Sequence, residues 1–167
     1  MIEDVLNGRE GVSIANYNCP GQIVITGEAD AVAEAGTVLK EAGARRVLPL
    51  KVSGPFHSPM MRPAGEELAK VFARVSMNPL KIPYVANINA EVITDCGRIE
   101  GLLVEQVSGS VRWQQSVETM IREGVDTFVE IGPGKTLTGF LRKIDKNVKA
   151  YHIGSWEEAV QVCEELK

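Results

Sequence analysis

The sequence predicts an α/β (α+β) protein in two parts, on three observations. Short β-rich runs alternate with helical stripes along the chain, which is the pattern of layered helix-and-sheet folds. Over the first fifty or so residues these runs take the order α-β-β-α-β, a ferredoxin-like β-α-β-β-α-β unit with its first strand missing. With 44% hydrophobic residues over 167 positions, the chain has enough apolar side chains to bury a core.

The first part opens on a helical stub at residues 1–8. "GVSIANY" at 11–17 and "QIVIT" at 22–26 follow as two β-rich runs separated by the turn-forming "NCPG", a hairpin signal. In "EADAVAEAGTVLKEAG", Val32, Ala35, Leu39 and Ala42 share one helical face, and Gly43 is the stop residue of a helix of about four turns. "RRVLPLKV" then resumes a strand, and Pro49 within it favours an edge or bulged position.

The second part alternates more regularly. Ser58 and Pro59 read as an N-cap and first-turn pair, followed by a helical stripe of Met61, Ala64, Leu68, Val71, Phe72 and Val75. "IPYVANI" reads as a strand, "GLLVEQVSG" as a short helix, and "VRWQQSVETMIREG" as a helix with Trp113, Val117, Met120 and Ile121 facing one way. "DTFVEI" reads as a buried strand, "KTLTGFLRKI" as a helix, "KAYHI" as a last strand and "WEEAVQVCEELK" as a terminal helix. Such alternation implies a parallel sheet.

Composition excludes several functions. A net charge of -4 lacks the basic excess of a dedicated nucleic-acid binder. Cys19, Cys96 and Cys163 are odd in number, widely spaced and free of any CxxC pair, which suggests reduced thiols with no disulfide framework and no metal site. No apolar run reaches membrane-spanning length and the N-terminus has no signal-peptide pattern, so the expected location is cytoplasmic, with no membrane partner.

Two motifs bear on chemistry. "GPGKT" at 132–136 imitates the end of a phosphate-binding loop, but Val129 stands where that loop needs a glycine, so a tight strand-to-helix turn is the better reading. "VSGPFHSPMM" places His57, one of only two histidines, between a Gly-Pro turn and a helix start. The positive end of that helix favours a neutral ring able to accept a proton, and a neutral His needs an acceptor to orient its other nitrogen. A base also needs a nucleophile, and no serine or cysteine sits in a G-x-S-x-G-type elbow. A Cys19–His57 pair is the alternative. His152 reads as strand filling.

The runs "NYNCPGQIVITG", "AGARRVLPLKVSGPFHSPMM" and "VRWQQSVETMIREGVDTFVEIGPGKTLTGFLRKI" resemble the C-terminal half of malonyl-CoA:acyl carrier protein transacylases, from about residue 11 to 145. They are also similar to the acyltransferase domains of fatty acid and polyketide synthases. The resemblance implies that residues 1–53 are a partial ferredoxin-like subdomain and residues 54–167 the C-terminal part of a larger α/β-hydrolase-like acyltransferase domain. It also implies ping-pong acyl transfer from malonyl-CoA to the phosphopantetheine thiol of acyl carrier protein, with both thioesters as substrates and no cofactor. On this basis His57 is the general base, oriented by the main-chain carbonyl of Gln106, while Asn16, Asn18 and Gln22 lie near the active-site mouth. Phe56, bulky and next to the base, would crowd a C2 methyl and favour malonyl over methylmalonyl.

The family's GHSxG serine, its carboxylate-binding arginine and its oxyanion-hole glutamine belong to an N-terminal half with no counterpart here. The expectation is therefore a fragment, inactive alone, whose partner half is a separate chain or a lost segment. Two alternatives are a non-catalytic module and a piece of a polyketide synthase acyltransferase. In the former, the basic cluster Lys135, Arg142, Lys143, Lys146 and Lys149 docks the acidic carrier; the plain reading of that cluster is a solvated face.

Overall fold

A computed structural model describes residues 1–167. A short helix α1 (Ile2–Leu6) leads into β1 (Val12–Cys19) and β2 (Gln22–Gly27), which pair antiparallel around Pro20 and Gly21. The register steps from Ile14↔Ile25 to Asn16↔Val24, and again from Tyr17↔Ile23 to Cys19↔Gln22. Ala15 and Asn18 are thus extra residues on β1, two bulges of the kind that bend a strand and re-aim its side chains. Helix α2 (Ala29–Glu41) buries Ala35, Gly36 and Leu39, and Gly43 beyond its end takes the left-handed φ of 97° that stops a helix. Leu6, Ile14 and Ala35 centre the core of this part, with Ile2, Val12, Tyr17, Ile23 and Ile25 packed around them.

The strand expected in "RRVLPLKV" does not form. The segment runs without regular structure, and Leu48, Leu50 and Val52 are 68%, 61% and 66% exposed. A strand requires a neighbour for its N–H and C=O groups. No strand of the chain runs beside residues 45–52 to supply one.

In the second part, a single 3₁₀ turn (Pro59–Met61) precedes α3 (Arg62–Phe72). Ser58 does not cap it, because its hydroxyl donates to the Pro55 carbonyl at 2.6 Å. Of the predicted stripe only Met61, Leu68 and Phe72 are partly buried, while Ala64, Val71 and Val75 are exposed. Helix α3 packs on α4 (Ile99–Ser108) at Gly65, where an added Cβ would stand 3.1 Å from the Val104 carbonyl oxygen. "IPYVANI" contributes only β3 (Tyr84–Val85), which pairs antiparallel with β4 (Val92–Ile93) around a turn that holds Ala90 at φ 59°. Ala86, Ile93 and Leu102 form the core beneath it.

Helix α5 (Trp113–Arg122) then leads to β5 (Thr127–Ile131), α6 (Thr136–Ile144), β6 (Lys149–Ile153) and α7 (Trp156–Glu165). The expected parallel sheet is reduced to one parallel pair, β5 with β6, from Thr127↔Lys149 to Ile131↔Ile153. The other strands form two separate antiparallel pairs. With one neighbour, β5 is not the buried strand its composition suggests, and Ile131 is 78% exposed. The accessible surface is 11201 Å² for 18.2 kDa, against about 8,100 Å² for a compact monomer of that mass.

Candidate active site

His57 stands in the turn between the irregular segment and α3, with its backbone at φ 59°. A left-handed histidine costs on the order of 1–3 kcal/mol and persists where its surroundings over-determine it. Here they do: Nδ1 lies 3.0 Å from the carbonyl oxygen of Gln106 and 3.2 Å from that of Gly109. Both acceptors are at the C-terminal end of α4, where carbonyls have lost their intrahelical partners. A carbonyl only accepts, so Nδ1 carries the proton and a neutral ring presents the Nε2 lone pair outward. No side chain of this protein hydrogen-bonds Nε2. The ring thus meets the negative terminus of α4, while the helix start anticipated from "HSPMM" follows two residues on at Pro59.

The segment after α4 is laced to β1. Val111 pairs with Asn16 as a parallel bridge, Val111 N donates to Ala15 O at 2.7 Å, and Tyr17 N donates to Val111 O at 2.8 Å. The structure therefore joins the strand bearing Asn16 and Asn18 to the loop that holds His57. Asn18 occupies the second bulge of β1. Between the two asparagines, Tyr17 donates its hydroxyl to Glu3 at 2.9 Å. Burial, then the hydrogen bond to Glu3, pushes that phenol up from its ordinary value. Gln22 is joined elsewhere: its Oε1 is 3.4 Å from Lys143 Nζ on α6. Phe56 is half exposed beside His57.

The remaining candidates fall away from this site. Cys19 is buried at the end of β1, with its thiol 3.8 Å from Gln22 Oε1, and Cys163 is exposed on α7. Nothing places either sulfur on the His57 ring. At "GPGKT", the first turn of α6 already holds an anion: the Glu130 carboxylate accepts from Thr138 Oγ1 (2.6 Å), Thr138 N (2.7 Å) and Leu137 N (3.0 Å). A phosphate would find its donors taken. His152 fills its strand position, with Nε2 donating to the Gly132 carbonyl at 2.9 Å. Lys135, Arg142, Lys143, Lys146 and Lys149 are all exposed and none forms an ion pair.

Three features were not anticipated: the second acceptor at Gly109, the left-handed backbone of His57, and the bridge from Val111 to β1. Only the first left a trace in the sequence, since a glycine after "EQVS" marks a helix stop and hence a set of free carbonyls.

The acyl transferase domain family matches residues 1–162, and the chain belongs to that family. More particularly, it is 42% identical over 156 residues to the malonyl CoA-acyl carrier protein transacylase of Bacillus subtilis, covering 93% of this chain and 49% of that protein. The crystal structure of the acyl-carrier-protein S-malonyltransferase from Bartonella henselae superposes with a TM-score of 0.93 at 41% identity, over 99% of this chain and 54% of that one. A malonyl-transacylase solved in complex with a type II polyketide acyl-carrier protein gives 0.91 at 36% identity, over 98% and 53%. The chain spans about half the length of the curated relatives it matches.

No helix is long and apolar enough to cross a membrane.

Proposed function

We propose that this chain carries the general base of a malonyl-CoA:acyl carrier protein transacylase and acts together with a serine-bearing N-terminal half. The observation that carries the reading is the His57 ring, whose Nδ1–H is held by two main-chain carbonyls so that Nε2 is free. In the forward half-reaction Nε2 takes the serine proton as the hydroxyl oxygen attacks the malonyl thioester, and the imidazolium then protonates the departing CoA thiolate. In the second half-reaction the same nitrogen deprotonates the phosphopantetheine thiol of the carrier protein. Positive charge arriving on the ring faces two carbonyl oxygens at the negative end of α4, so no carboxylate is required. Asn16, Asn18 and Gln22 serve the mouth of the site, and Phe56 the acyl pocket. The reaction calls for no metal or cofactor.

Surface supports the partner half. The chain exposes on the order of 3,000 Å² more than a compact monomer of its mass, with an irregular segment at 45–52 that pairs with no strand and an open edge on β5. The exposed, unpaired lysines of α6 and its flanks suit an acidic carrier.

The test pairs the chain with an N-terminal half bearing the GHSxG serine. Alone, it should take no label from radiolabelled malonyl-CoA; paired, it should support transfer to carrier protein, and His57→Ala should lower that by roughly 10²- to 10⁴-fold. A loss below about threefold would remove His57 from the mechanism. Label on Cys19 in the isolated chain would establish a cysteine nucleophile instead.

A further inference from the structure

We infer that Ser110 is a positioning residue for His57, an inference that rests on the acyl-transfer reading above. The second acceptor of the His57 proton, the Gly109 carbonyl, belongs to no helix turn, so its direction depends on what holds the chain just beyond α4. Four hydrogen bonds do so. Three are main-chain: Val111 N to Ala15 O, Tyr17 N to Val111 O, and Arg112 N to Asn87 O at 2.8 Å. Any residue but proline makes these. The fourth is the Ser110 hydroxyl donating to Ile14 O at 2.6 Å, and it is the one that depends on a side chain. It acts one peptide unit from the carbonyl that it steadies.

The bulge in β1 makes the arrangement feasible. Along a regular strand successive carbonyls point to opposite edges, so one segment cannot use two in a row. Ala15 is the extra residue of the bulge, and the Ile14 and Ala15 carbonyls both accept from the 110–111 segment. Ile88 lies on the other side, close enough that a Cβ on Gly109 would meet Ile88 Cδ1. With β1 on one flank and Ile88 on the other, Ser110 sets the Gly109 carbonyl and thereby the tilt of the His57 ring. Because Asn16 follows the bulge directly and bridges Val111, the same device keeps the base and the proposed mouth of the site in one register.

Two independent readouts test this. In the 167-residue chain labelled with ¹⁵N-histidine, His57 should show the Nδ1–H tautomer with slow proton exchange; Ser110→Ala should speed that exchange at least severalfold, and Ser110→Thr should restore it. His152 is the internal control, since its bonded proton is on Nε2 and should not change. In the paired enzyme, Ser110→Ala should lower kcat about tenfold with KM within about twofold, as expected when a group is misplaced by a fraction of an ångström. Ser110→Thr should recover most of the rate.

An unchanged His57 resonance in Ser110→Ala overturns the inference whatever happens to activity, because a loss without ring movement is a general loss of fold. Parallel changes at His57 and His152 overturn it likewise. Failure of the acyl-transfer reading is read separately: it would appear as full activity in paired His57→Ala, and the resonance experiment does not depend on it.

Discussion

At the scale of single residues, Phe56 and His57 show how far a side chain can be read from its neighbours in sequence. That His57 faces an acceptor followed from what a neutral ring needs, and the resemblance pointed to the Gln106 carbonyl. Its left-handed backbone did not follow, because φ is imposed by tertiary contacts and histidine is no marker for it. Phe56 is half exposed, so its ring is free to form one wall of an acyl pocket completed by the partner half. In the paired enzyme Phe56→Ser should raise methylmalonyl transfer relative to malonyl by about 10-fold, with 200-fold the ceiling for a methyl-sized contact. The comparison is kcat/KM for the two thioesters. An unchanged ratio would assign selectivity to the other half and leave Phe56 as packing for the turn that carries the base.

At the scale of elements, the helices and the strands that find a partner, β1, β2, β5 and β6, were legible, and the strands left without one were not. Helices α2, α5, α6 and α7 lie where periodicity and stop signals put them, because an α-helix satisfies its own backbone. A strand borrows its partners, so "RRVLPLKV" and most of "IPYVANI" stay irregular although their composition is β-like. Helix α6 also shows a cap that spacing rules miss, since Glu130 reaches across the glycine turn to its first amides. Burial pushes the Glu130 carboxyl up. The hydrogen bonds from Thr138 Oγ1, Thr138 N and Leu137 N outweigh it, with the nearby His152 adding a smaller effect, and hold the carboxyl below its ordinary value. A carboxyl depressed in the folded state stabilises fully above the unfolded value, near pH 4.3, and loses that contribution as pH falls through the folded one. Glu130→Gln should cost about 1 kcal/mol near neutral pH, and its deficit should shrink on acidification below about pH 4. Urea melts of both proteins across that range check it; a deficit independent of pH would mean that the charge contributes nothing.

At the scale of the whole molecule, the contacts that tie the chain together differ in how far they reach along it. The β5–β6 pair joins residues such as Thr127 and Lys149, with α6 between them. The site joins His57 to carbonyls 49 and 52 positions away, and Ser110 to Ile14 across 96. Closing the longest of these loops costs about 1 kcal/mol more entropy than pairing β5 with β6. Folding order should follow that ranking, as local contacts form before distant ones. In pulsed hydrogen exchange during refolding, the β5 and β6 amides should gain protection ahead of Tyr17 N and Val111 N, which close the β1 bridge. Simultaneous protection of both sets would refute the ranking. The bridge from Val111 to β1 is then a timing element as well as a joint. Until it closes, the Gly109 carbonyl is not fixed and the His57 proton has only one settled acceptor, so the chain acquires a fully held His57 ring as one of the last events of folding.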